Sequence, residues 1–417
     1  MKIIIIGAGI ACVSAIKAIR LQNKDIKITV YGEETYYPYK RIRLTKDLAS
    51  GIQESSLLVE KQSWYEENKV TIYKEKKVIR INPSAHRIYL SDGTVDEYTA
   101  LLLANGASNL VLPIKGVEKE NVFTLRNLLD AQVILEQAEK SKKVLMIGGG
   151  ILGLEIAWSL TKLGKKVTIV EALPELMSRQ LDERASAILK KVVEAHGVVV
   201  HTGSQVKELT GNRRVEGFIT DQNLSQSCEM VIHCTGIRPN IQLVEDTGIQ
   251  INRGIVVNNR METNLPDIYA AGDVAEYQGA IPGLWSVASL QGEIAGSNIA
   301  GIRRVYDVPA AATVMNAFHY TMFSICVVDD SAADIVLIDQ PKENKYRKIL
   351  FRDEEMIGAV FMGSIKELPS VKRAMENKAR FPEVYDRNMQ VSDFQNLLQE
   401  KQSKKELQPA GAASVGK

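Results

Sequence analysis

The chain is 417 residues long, and its 52 Lys and Arg against 50 Asp and Glu give a formal net charge of +2. This balance argues against a nucleic-acid-binding protein, which usually carries a strong basic excess. The four cysteines lack CxxC or CxxxxC spacing and the five histidines lack HxxxH spacing, so the sequence predicts neither a metal site nor a local redox disulfide. Scattered cysteines are typical of a reducing compartment, and the longest uncharged apolar stretches are shorter than the roughly 18 residues of a membrane-spanning helix. We therefore expect a cytoplasmic protein without a membrane segment.

A strand–turn–helix pattern occurs twice along the chain. Residues 2–19 read KIIIIGAGIACVSAIKAI and residues 143–160 read KVLMIGGGILGLEIAWSL, each a β-branched strand, a glycine turn and an apolar helix. A second strand follows each helix, at 26–31 and at 166–170, and an acid comes just after it, Glu33 and Glu171. Because such βαβ units bind nucleotides at the glycine turn, the repeat predicts two parallel sheets and two nucleotide sites.

The rest of the chain carries shorter signals. Residues 91–94, Ser-Asp-Gly-Thr between apolar runs, predict a hairpin turn. The other predicted strands lie at 101–104, 231–234, 268–271, 335–338, 348–352 and 357–362, and the other predicted helices at 291–302 and 369–379. The composition changes at Pro309, and the tail from 403 to 417 is rich in Lys, Ala, Gly and Ser, so we expect it to be disordered.

The first glycine turn reads Gly7-x-Gly9-x-x-Cys12. Glycines at these positions allow backbone N–H groups at a helix N-terminus to approach a pyrophosphate, and Glu33 is placed to accept hydrogen bonds from a ribose hydroxyl. The third position is usually Gly or Ala, and Cys12 departs from that pattern, although a thiol is small. This pattern alone leaves open a glycine turn that binds no ligand.

The second glycine turn, Gly148-x-Gly150-x-x-Gly153, is complete and is followed by Glu171. A carboxylate at that position would repel the 2′-phosphate of NADPH, and the residues directly after it supply no arginine to bind one. Arg179 lies a little downstream. The second site is therefore predicted to prefer NADH over NADPH.

With these two turns, the chain resembles the two-dinucleotide-binding flavoproteins, the pyridine nucleotide oxidoreductases with a glutathione-reductase-like fold. Ala104-Asn105-Gly106, the segment Cys234-Thr235-Gly236-x-Arg238-Pro239-Asn240 and Gly272-Asp273 extend the resemblance. It implies FAD and NADH as cofactors. For FAD it implies binding by Gly7, Gly9, Glu33, Arg41, Lys46, Ala104, Gly106, Gly272, Asp273 and Trp285, and for NAD by Gly148, Gly150, Gly153, Glu171 and Gly236.

The segment from 37 to 46 distinguishes branches of that family. It contains no cysteine, whereas disulfide reductases of this fold place a CxxxxC dithiol there against the flavin. Its sequence, Pro-Tyr-Lys-Arg-Ile-Arg-Leu-Thr-Lys at 38–46, resembles the branch of NADH:rubredoxin oxidoreductases and of the flavoprotein part of NADH-dependent nitrite reductases. In that branch the lysine lies beside the isoalloxazine and pairs with a glutamate, which implies catalytic roles for Lys46 and Glu155. Solvated surface charges are the alternative for both residues.

The predicted fold class is α/β, with two Rossmann-like dinucleotide-binding domains of the glutathione-reductase-like kind and a small α+β C-terminal domain. The predicted FAD-binding domain is split into 1–110 and 239–306. The other predicted segments are an NAD-binding domain at 111–238, a C-terminal domain at 307–400 and a disordered tail at 401–417.

The expected function is that of an FAD-dependent NADH:acceptor oxidoreductase. With no thiol beside the flavin, electrons would leave to an external acceptor, for which we expect an acidic iron–sulfur carrier of the rubredoxin type or a partner redox subunit. Two basic groups could steer an acidic partner, Lys40, Arg41 and Arg43, and Lys366, Lys372, Arg373, Lys378 and Arg380, although acids interleave with the second group. An NADH oxidase, a subunit of a larger nitrite reductase or iron–sulfur/tungsten complex and a redox-sensing flavoprotein are the alternatives.

Overall fold

The computed structural model describes residues 1–385 and 389–403, and within them the chain forms two compact units. The first unit contains Met1–Leu110, Arg126–Gln132 and Gly236–Val308, and the second contains Val111–Leu125, Val133–Thr235 and the chain from Pro309 onward. Each unit carries a five-stranded parallel sheet. The predicted α/β class with two Rossmann-like domains is therefore confirmed, whereas the predicted domain boundaries stay predictions.

The parallel sheet of the first unit is built from short runs of buried aliphatic residues, as strands covered on both faces require. Its strand order is Ile268–Ala270, Ala100–Leu103, Lys2–Ile6, Lys27–Tyr31 and Val70–Tyr73, and every neighbouring pair is parallel. Because parallel strands end at the same edge of a sheet, the residues that follow these strands lie along one edge.

Two helices of the first unit pack closely because one of them places glycines against the backbone of the other. Helix Ile10–Gln22 follows the central strand, and helix Trp285–Ile299 packs against it. A Cβ atom on Gly292 would lie 2.2 Å from the carbonyl oxygen of Ala11, and one on Gly296, a turn later, would meet the same helix at 2.4 Å. Only residues without a side chain allow the two backbones to approach this closely.

The other elements of the first unit are short. Its antiparallel strands are Val78–Asn82, Arg87–Leu90 and Val95–Glu97 in one sheet, Ala107–Asn109 with Ile237–Pro239, and its parallel pair is Ile255–Val256 with Ala275–Glu276. Its short helices are Leu44–Asp47, Glu54–Leu57 and Gln62–Glu67, with 3-10 turns at Arg41–Arg43, Leu48–Ser50 and Gln242–Val244. Helix Leu128–Lys140 contains residues of both units.

The parallel sheet of the second unit repeats the same arrangement. Its strand order is Val199–His201, Lys166–Val170, Lys143–Ile147, Met230–His233 and Val122–Thr124. Helix Ile151–Lys162 follows the central strand, and helix Glu183–Ala195 precedes the edge strand. An antiparallel sheet of Val206–Thr210, Gly217–Thr220 and Ser225–Ser227 shares a core with the parallel sheet through buried residues such as Leu145, Val170 and Phe218.

The chain from Pro309 forms an antiparallel sheet covered by helices, in agreement with the predicted α+β C-terminal domain. Its strand order is Ala312–Ala317, Tyr320–Cys326, Glu355–Met362, Lys345–Arg352 and Ile335–Lys342. The helices are Leu368–Glu376 and Val391–Ser403, with 3-10 turns at Asp330–Ala332 and Pro382–Tyr385. Buried rings form its core, with Phe323 stacked on Phe361 and a second group of Phe351, Phe381 and Phe394.

Most predicted elements are present with small shifts at their ends, and the turn at 91–94 joins two antiparallel strands as predicted. The helix predicted at 291–302 instead begins at Trp285. The local sequence before 291 has a weak helix preference, but the burial of Val287 and Ala288 stabilises the helix there. Residues 401–403 of the predicted tail close the last helix, and 404–417 lie outside the described residues. No helix within 1–385 and 389–403 is long and apolar enough to cross a membrane.

Candidate functional site

The first glycine turn combines one crowded and one open position. Gly7 adopts φ +103, and a Cβ atom there would lie 2.2 Å from the carbonyl oxygen of Ala104. Gly9 precedes helix Ile10–Gln22, and a Cβ atom on it would meet no atom of the described chain within 4 Å. Within the described residues no side chain forms a cap hydrogen bond with this helix, so its first backbone N–H groups lack that partner. The side chain of Cys12, at the third position of the motif, is completely buried.

The strand order brings further predicted FAD residues to the edge where this turn lies. Ala104 and Gly106 follow the strand on one side of the central strand, and Gly272 and Asp273 follow the next strand along. Glu33 follows the strand on the other side, and its exposed carboxylate lies 3.7 Å from the Lys77 ammonium. The parallel sheet thus gathers residues that the sequence spreads over more than half of its length.

Arg126 lies at this edge although the sequence analysis did not single it out. Its Nη2 atom is 2.7 Å from Oδ2 of Asp273. A Cβ atom on Gly106 would be 3.5 Å from the same nitrogen, so the guanidinium lies directly beside the predicted Ala104–Gly106 motif. No local pattern marks this arginine, because its partner is 147 positions away.

Arg41 belongs to a hydrogen-bonded group that also includes Glu34 and Tyr39. Arg41 forms an ion pair with Glu34, and its Nη1 donates to Tyr39 Oη at 2.9 Å and to the Arg126 carbonyl oxygen at 3.1 Å. Tyr39 Oη donates to Glu34 at 2.7 Å and accepts the N–H of Leu128 at 3.0 Å. Burial, and then the charge of Glu34, raises the pKa of Tyr39 above its ordinary value, so the phenol stays neutral. Glu34 and Tyr39 are therefore supporting residues that the sequence analysis missed.

Trp285 is the first residue of its helix and is partly exposed. Six residues later in the same helix, the buried Gln291 side chain accepts the backbone N–H of Gly272 at 2.9 Å. This contact fixes the Gly272–Asp273 turn at the end of its strand.

The second glycine turn shows the same combination of crowded and open positions. A Cβ atom on Gly148 would lie 2.4 Å from the carbonyl oxygen of Cys234, and one on Gly153 would lie 2.2 Å from the carbonyl oxygen of Gly148. Gly150 precedes helix Ile151–Lys162, and a Cβ atom on it would meet nothing within 4 Å in the described chain. Gly148 and Gly153 therefore serve packing, whereas Gly150 leaves space at the helix N-terminus.

Glu171 follows the neighbouring strand and contacts this turn. One carboxylate oxygen accepts the N–H of Gly149 at 2.6 Å, and the other accepts the N–H of Leu173 at 2.8 Å. Arg179 is exposed. Gly236 adopts φ +105 and belongs to the first unit, so its predicted role at the NAD site stays a prediction.

The two residues predicted to be catalytic lie in different units. Lys46 is exposed in helix Leu44–Asp47 of the first unit, and Glu155 is 8% exposed in helix Ile151–Lys162 of the second. Their predicted pairing stays a prediction.

Both glycine turns fit the pyrophosphate of a dinucleotide. At each turn, a Cβ atom on the glycine before the helix would meet nothing within 4 Å in the described chain, and the helix has no side-chain cap. The backbone N–H groups and the helix dipole at such an N-terminus favour an anion. At the first turn the buried Oδ1 atom of Asn105 has no hydrogen-bond partner within the described residues. A polar ligand at this edge would satisfy that atom.

Residues 1–292 match the family model described as pyridine nucleotide-disulphide oxidoreductase. The chain belongs to this family. Residues 312–379 match the model described as the rubredoxin NAD+ reductase C-terminal domain. FAD and NADH are the cofactors, and the chain is an NAD(P)H-dependent flavin oxidoreductase. All four cysteines are free thiols, at Cys12, Cys228, Cys234 and Cys326.

Two relatives illustrate the similarity. The nitrite reductase (NAD(P)H) of Bacillus subtilis is 31% identical over 402 residues, which are 96% of this chain and 49% of that protein. The NADH-rubredoxin oxidoreductase of Clostridium acetobutylicum is 30% identical over 383 residues, 92% of this chain and 96% of that protein. The chain thus spans about half the length of the first relative and nearly all of the second.

Solved structures agree with this assignment. The superposition on the crystal structure of NADH:rubredoxin oxidoreductase from Clostridium acetobutylicum covers 95% of this chain and 99% of that chain. The TM-score is 0.79 and the sequence identity is 29%. The superposition on the crystal structure of the covalent putidaredoxin reductase–putidaredoxin complex covers 90% of this chain and 93% of that chain. The TM-score of 0.84 at 22% identity shows the shared fold.

Proposed function

We propose that this chain oxidises NADH and delivers the electrons to an external one-electron carrier, an acidic iron–sulfur protein of the rubredoxin type. The supporting observation is the end-to-end similarity to an NADH-rubredoxin oxidoreductase, 96% of whose length is matched, together with the matching C-terminal domain model. We place the reaction in the cytoplasm and infer that the protein prefers NADH, because the carboxylate of Glu171 would repel the 2′-phosphate of NADPH.

The sequence of residues 37 to 46 supports the proposal that the electrons pass to an external acceptor. Members of this family with a dithiol at that position can pass electrons to it, but this segment contains no cysteine. When bound, FAD would supply the exchange between a two-electron hydride donor and a one-electron acceptor. The chain's own contribution is to bind and orient the two cofactors, so that the nicotinamide reaches the flavin at a reactive distance.

We assign the binding of FAD to the residues gathered at the edge of the first sheet, and that of NADH to the second glycine turn with Glu171. Lys46 is proposed to place a positive charge near the flavin, with Glu155 as its partner. A buried carboxylate such as Glu155 requires a compensating group, which supports a role other than a solvated surface charge.

The basic groups that could steer an acidic carrier are partly neutralised within the chain. Arg41 pairs with Glu34, and Arg43 lies 2.7 Å from Asp47. In the C-terminal domain Lys372 and Arg380 lie within 3.5 Å of glutamates, whereas the side chains of Lys366, Arg373 and Lys378 are exposed. We therefore propose that Lys366, Arg373 and Lys378 provide the steering charge.

A second candidate is the NADH-oxidising part of a larger redox complex. The nitrite reductase of Bacillus subtilis and the assimilatory nitrate reductase electron transfer subunit of the same organism are each about twice as long as the region this chain matches. A partner redox subunit would then receive the electrons.

The test is anaerobic oxidation of NADH by the FAD-loaded protein, with rubredoxin or with oxygen as the acceptor. Fast reduction of rubredoxin with slow oxygen turnover supports the proposal. Rapid flavin reduction without rubredoxin turnover would favour the larger complex, and rapid oxygen turnover would favour an NADH oxidase.

The roles of Lys46 and Glu155 have a separate test in stopped-flow flavin reduction. Lys46→Met and Glu155→Gln should each slow hydride transfer, and the double variant should be no slower than the worse single variant, because the two act together. Lys24→Met, an exposed lysine before the second strand, is the control. Additive effects would contradict the pairing.

A further inference from the structure

The C-terminal domain reaches the nucleotide-binding part of the second unit through two buried side chains. Tyr346 and Lys348 lie two positions apart on strand Lys345–Arg352 and therefore project from the same face. Tyr346 Oη donates a hydrogen bond to Oδ2 of Asp182 at 2.7 Å, and Lys348 Nζ donates to the same oxygen at 2.9 Å. The Lys348 side chain is only 3% exposed, so its charge depends on these partners.

Asp182 is held from two sides. Its Oδ1 atom accepts the N–H of Ala185 at 2.9 Å and caps helix Glu183–Ala195, while its Oδ2 atom accepts the bonds from the C-terminal domain. Burial favours the neutral acid, but the hydrogen bonds from Ala185, Lys348 and Tyr346 outweigh it and hold the pKa of Asp182 below its ordinary value. The carboxylate is therefore charged at neutral pH and bound to both domains.

Lys348 has two further partners, both within the C-terminal domain. Its ammonium donates to the carbonyl oxygen of Val328 at 3.0 Å and forms an ion pair with Asp330, whose side chain is 58% exposed. Loss of Lys348 would therefore leave the more buried carboxylate, Asp182, with one fewer donor, whereas water can solvate Asp330.

The segment 171–182 connects Asp182 to the second glycine turn. Glu171 accepts the N–H of Gly149, and the N–H of Met177 donates to the carbonyl oxygen of Gly149 at 3.1 Å, so both backbone groups of Gly149 are held by this segment. The N–H of Leu181 then donates to the Met177 carbonyl oxygen at 3.0 Å. Met177 lies in the left-handed region at φ +51, a conformation that persists only where surrounding contacts fix it.

We propose that Lys348 and Tyr346 are positioning residues for NADH. Through Asp182 they anchor the 171–182 segment against the glycine turn, and thereby the C-terminal domain sets the affinity for the adenosine half of the dinucleotide. This inference rests on the proposed role of the second glycine turn as the NADH site. An anchored segment binds more tightly because it loses less conformational freedom when the ligand arrives.

The test uses calorimetric titration of the full-length, FAD-loaded protein with ADP-ribose and with NAD+. Lys348→Met should raise the Kd for ADP-ribose about tenfold, and the milder Tyr346→Phe about threefold, in line with coupling through packed networks. Lys342→Met, an exposed lysine at the end of the neighbouring strand Ile335–Lys342, should leave it unchanged. The rate of flavin reduction at saturating NADH should stay at the wild-type value, while KM rises.

Hydrogen exchange provides a readout that does not depend on turnover. In both variants the amides of residues 172–181 should exchange faster than in the wild type, and added ADP-ribose should reduce the difference. If Lys348→Met does not fold, Tyr346→Phe decides the question, since it removes only a hydroxyl.

The outcomes distinguish a failure of the proposed NADH site from a failure of the positioning role of Lys348 and Tyr346. Failure of the wild-type protein to bind ADP-ribose and NAD+ would refute the proposed NADH site itself. If the wild type binds, and folded variants with full FAD content show unchanged Kd and unchanged exchange, the positioning role of Lys348 and Tyr346 is wrong.

Discussion

Arg126 and Asp273 form an ion pair with 2.7 Å between Nη2 and Oδ2, although 147 positions separate them in the sequence. The two side chains are 28% and 18% exposed, so water screens this pair less than an exposed surface pair. Asp273 follows one strand of the first sheet, and the guanidinium lies beside Gly106 at the end of the next strand. The pair therefore joins two of the predicted FAD-binding motifs and fixes the orientation of the aspartate.

Arg126→Met is expected to weaken FAD binding. Without the guanidinium, Asp273 loses the partner that orients it, and we expect the Kd for FAD to rise about tenfold, as for the loss of a charged hydrogen bond. The measurement is the ratio of bound FAD to protein after dialysis, followed by titration of the apoprotein. Arg304→Met, which removes a more exposed ion pair with Glu293, is the control. Equal FAD retention in both variants would contradict the role of Arg126.

Two glycines of the second turn should respond oppositely to alanine. A Cβ atom on Gly153 would lie 2.2 Å from a backbone oxygen, so Gly153→Ala should cost about 1–3 kcal/mol of stability. A Cβ atom on Gly150 meets open space, so Gly150→Ala should stay within about 0.5 kcal/mol of the wild type.

The variant that keeps its stability, Gly150→Ala, should be the one that loses affinity for the ligand. The methyl group of Gly150→Ala would occupy space proposed for the pyrophosphate, and we expect NAD+ affinity to fall with little change in Tm. Thermal unfolding and calorimetric titration of both variants provide the measurement. A Gly150→Ala protein that binds NAD+ as tightly as the wild type would place the pyrophosphate elsewhere.

Much of the fold was predictable because its signals are local. The runs of isoleucine and valine, the glycine turns and the acids after the second strands follow one another within about 30 residues, the span of a βαβ unit. The glycine pattern also predicted the helices that begin directly after Gly9 and Gly150.

Contacts between distant segments were not predictable from a single sequence. Arg126 has an ordinary local sequence, and only the sheet order brings it to Asp273. Likewise, Lys348 reads as one of several lysines in a charged strand, and its burial against Asp182 follows from the packing of the C-terminal domain. Glu171 was predicted as the acid that would repel a 2′-phosphate, but its bond to the N–H of Gly149 depends on the three-dimensional turn.

The preference for NADH should depend on the charge of Glu171. Glu171→Gln retains an oxygen that can accept the Gly149 N–H but removes the negative charge. We expect kcat/KM for NADPH to rise about tenfold relative to NADH, since the like-charge repulsion of a 2′-phosphate is removed. Glu175→Gln in the same segment is the matched control. An unchanged ratio of the two kcat/KM values would show that another group selects the cofactor.

Reduction of an acidic carrier should be sensitive to salt. If Lys366, Arg373 and Lys378 steer the carrier, kcat/KM for rubredoxin should fall about tenfold between roughly 10 mM and 0.2 M salt, because the Debye length shortens. The double variant Lys366→Glu/Arg373→Glu should lower the rate at low salt and flatten the profile, whereas Lys24→Glu should do neither. Activity with an uncharged quinone serves as the reference. A flat profile for the wild-type protein would remove this surface from the docking step.

The buried His233 should make the protein sensitive to acid. It is 1% exposed, and within the described residues neither ring nitrogen has a hydrogen-bond partner. Burial lowers its pKa from 6.5 to about 4. Because the folded pKa lies below the unfolded one, this histidine's contribution to stability is fully present above pH 6.5 and is lost as the pH falls toward 4. Between these pH values, the Tm of His233→Leu should therefore fall less than the Tm of the wild type. The control is His86→Asn, at a half-buried position with φ +51, a conformation that Asn adopts readily. The Tm of this variant should follow the wild-type pH profile. Parallel profiles for His233→Leu and the wild type would show that the imidazole takes up a proton in the folded state as easily as in the unfolded chain.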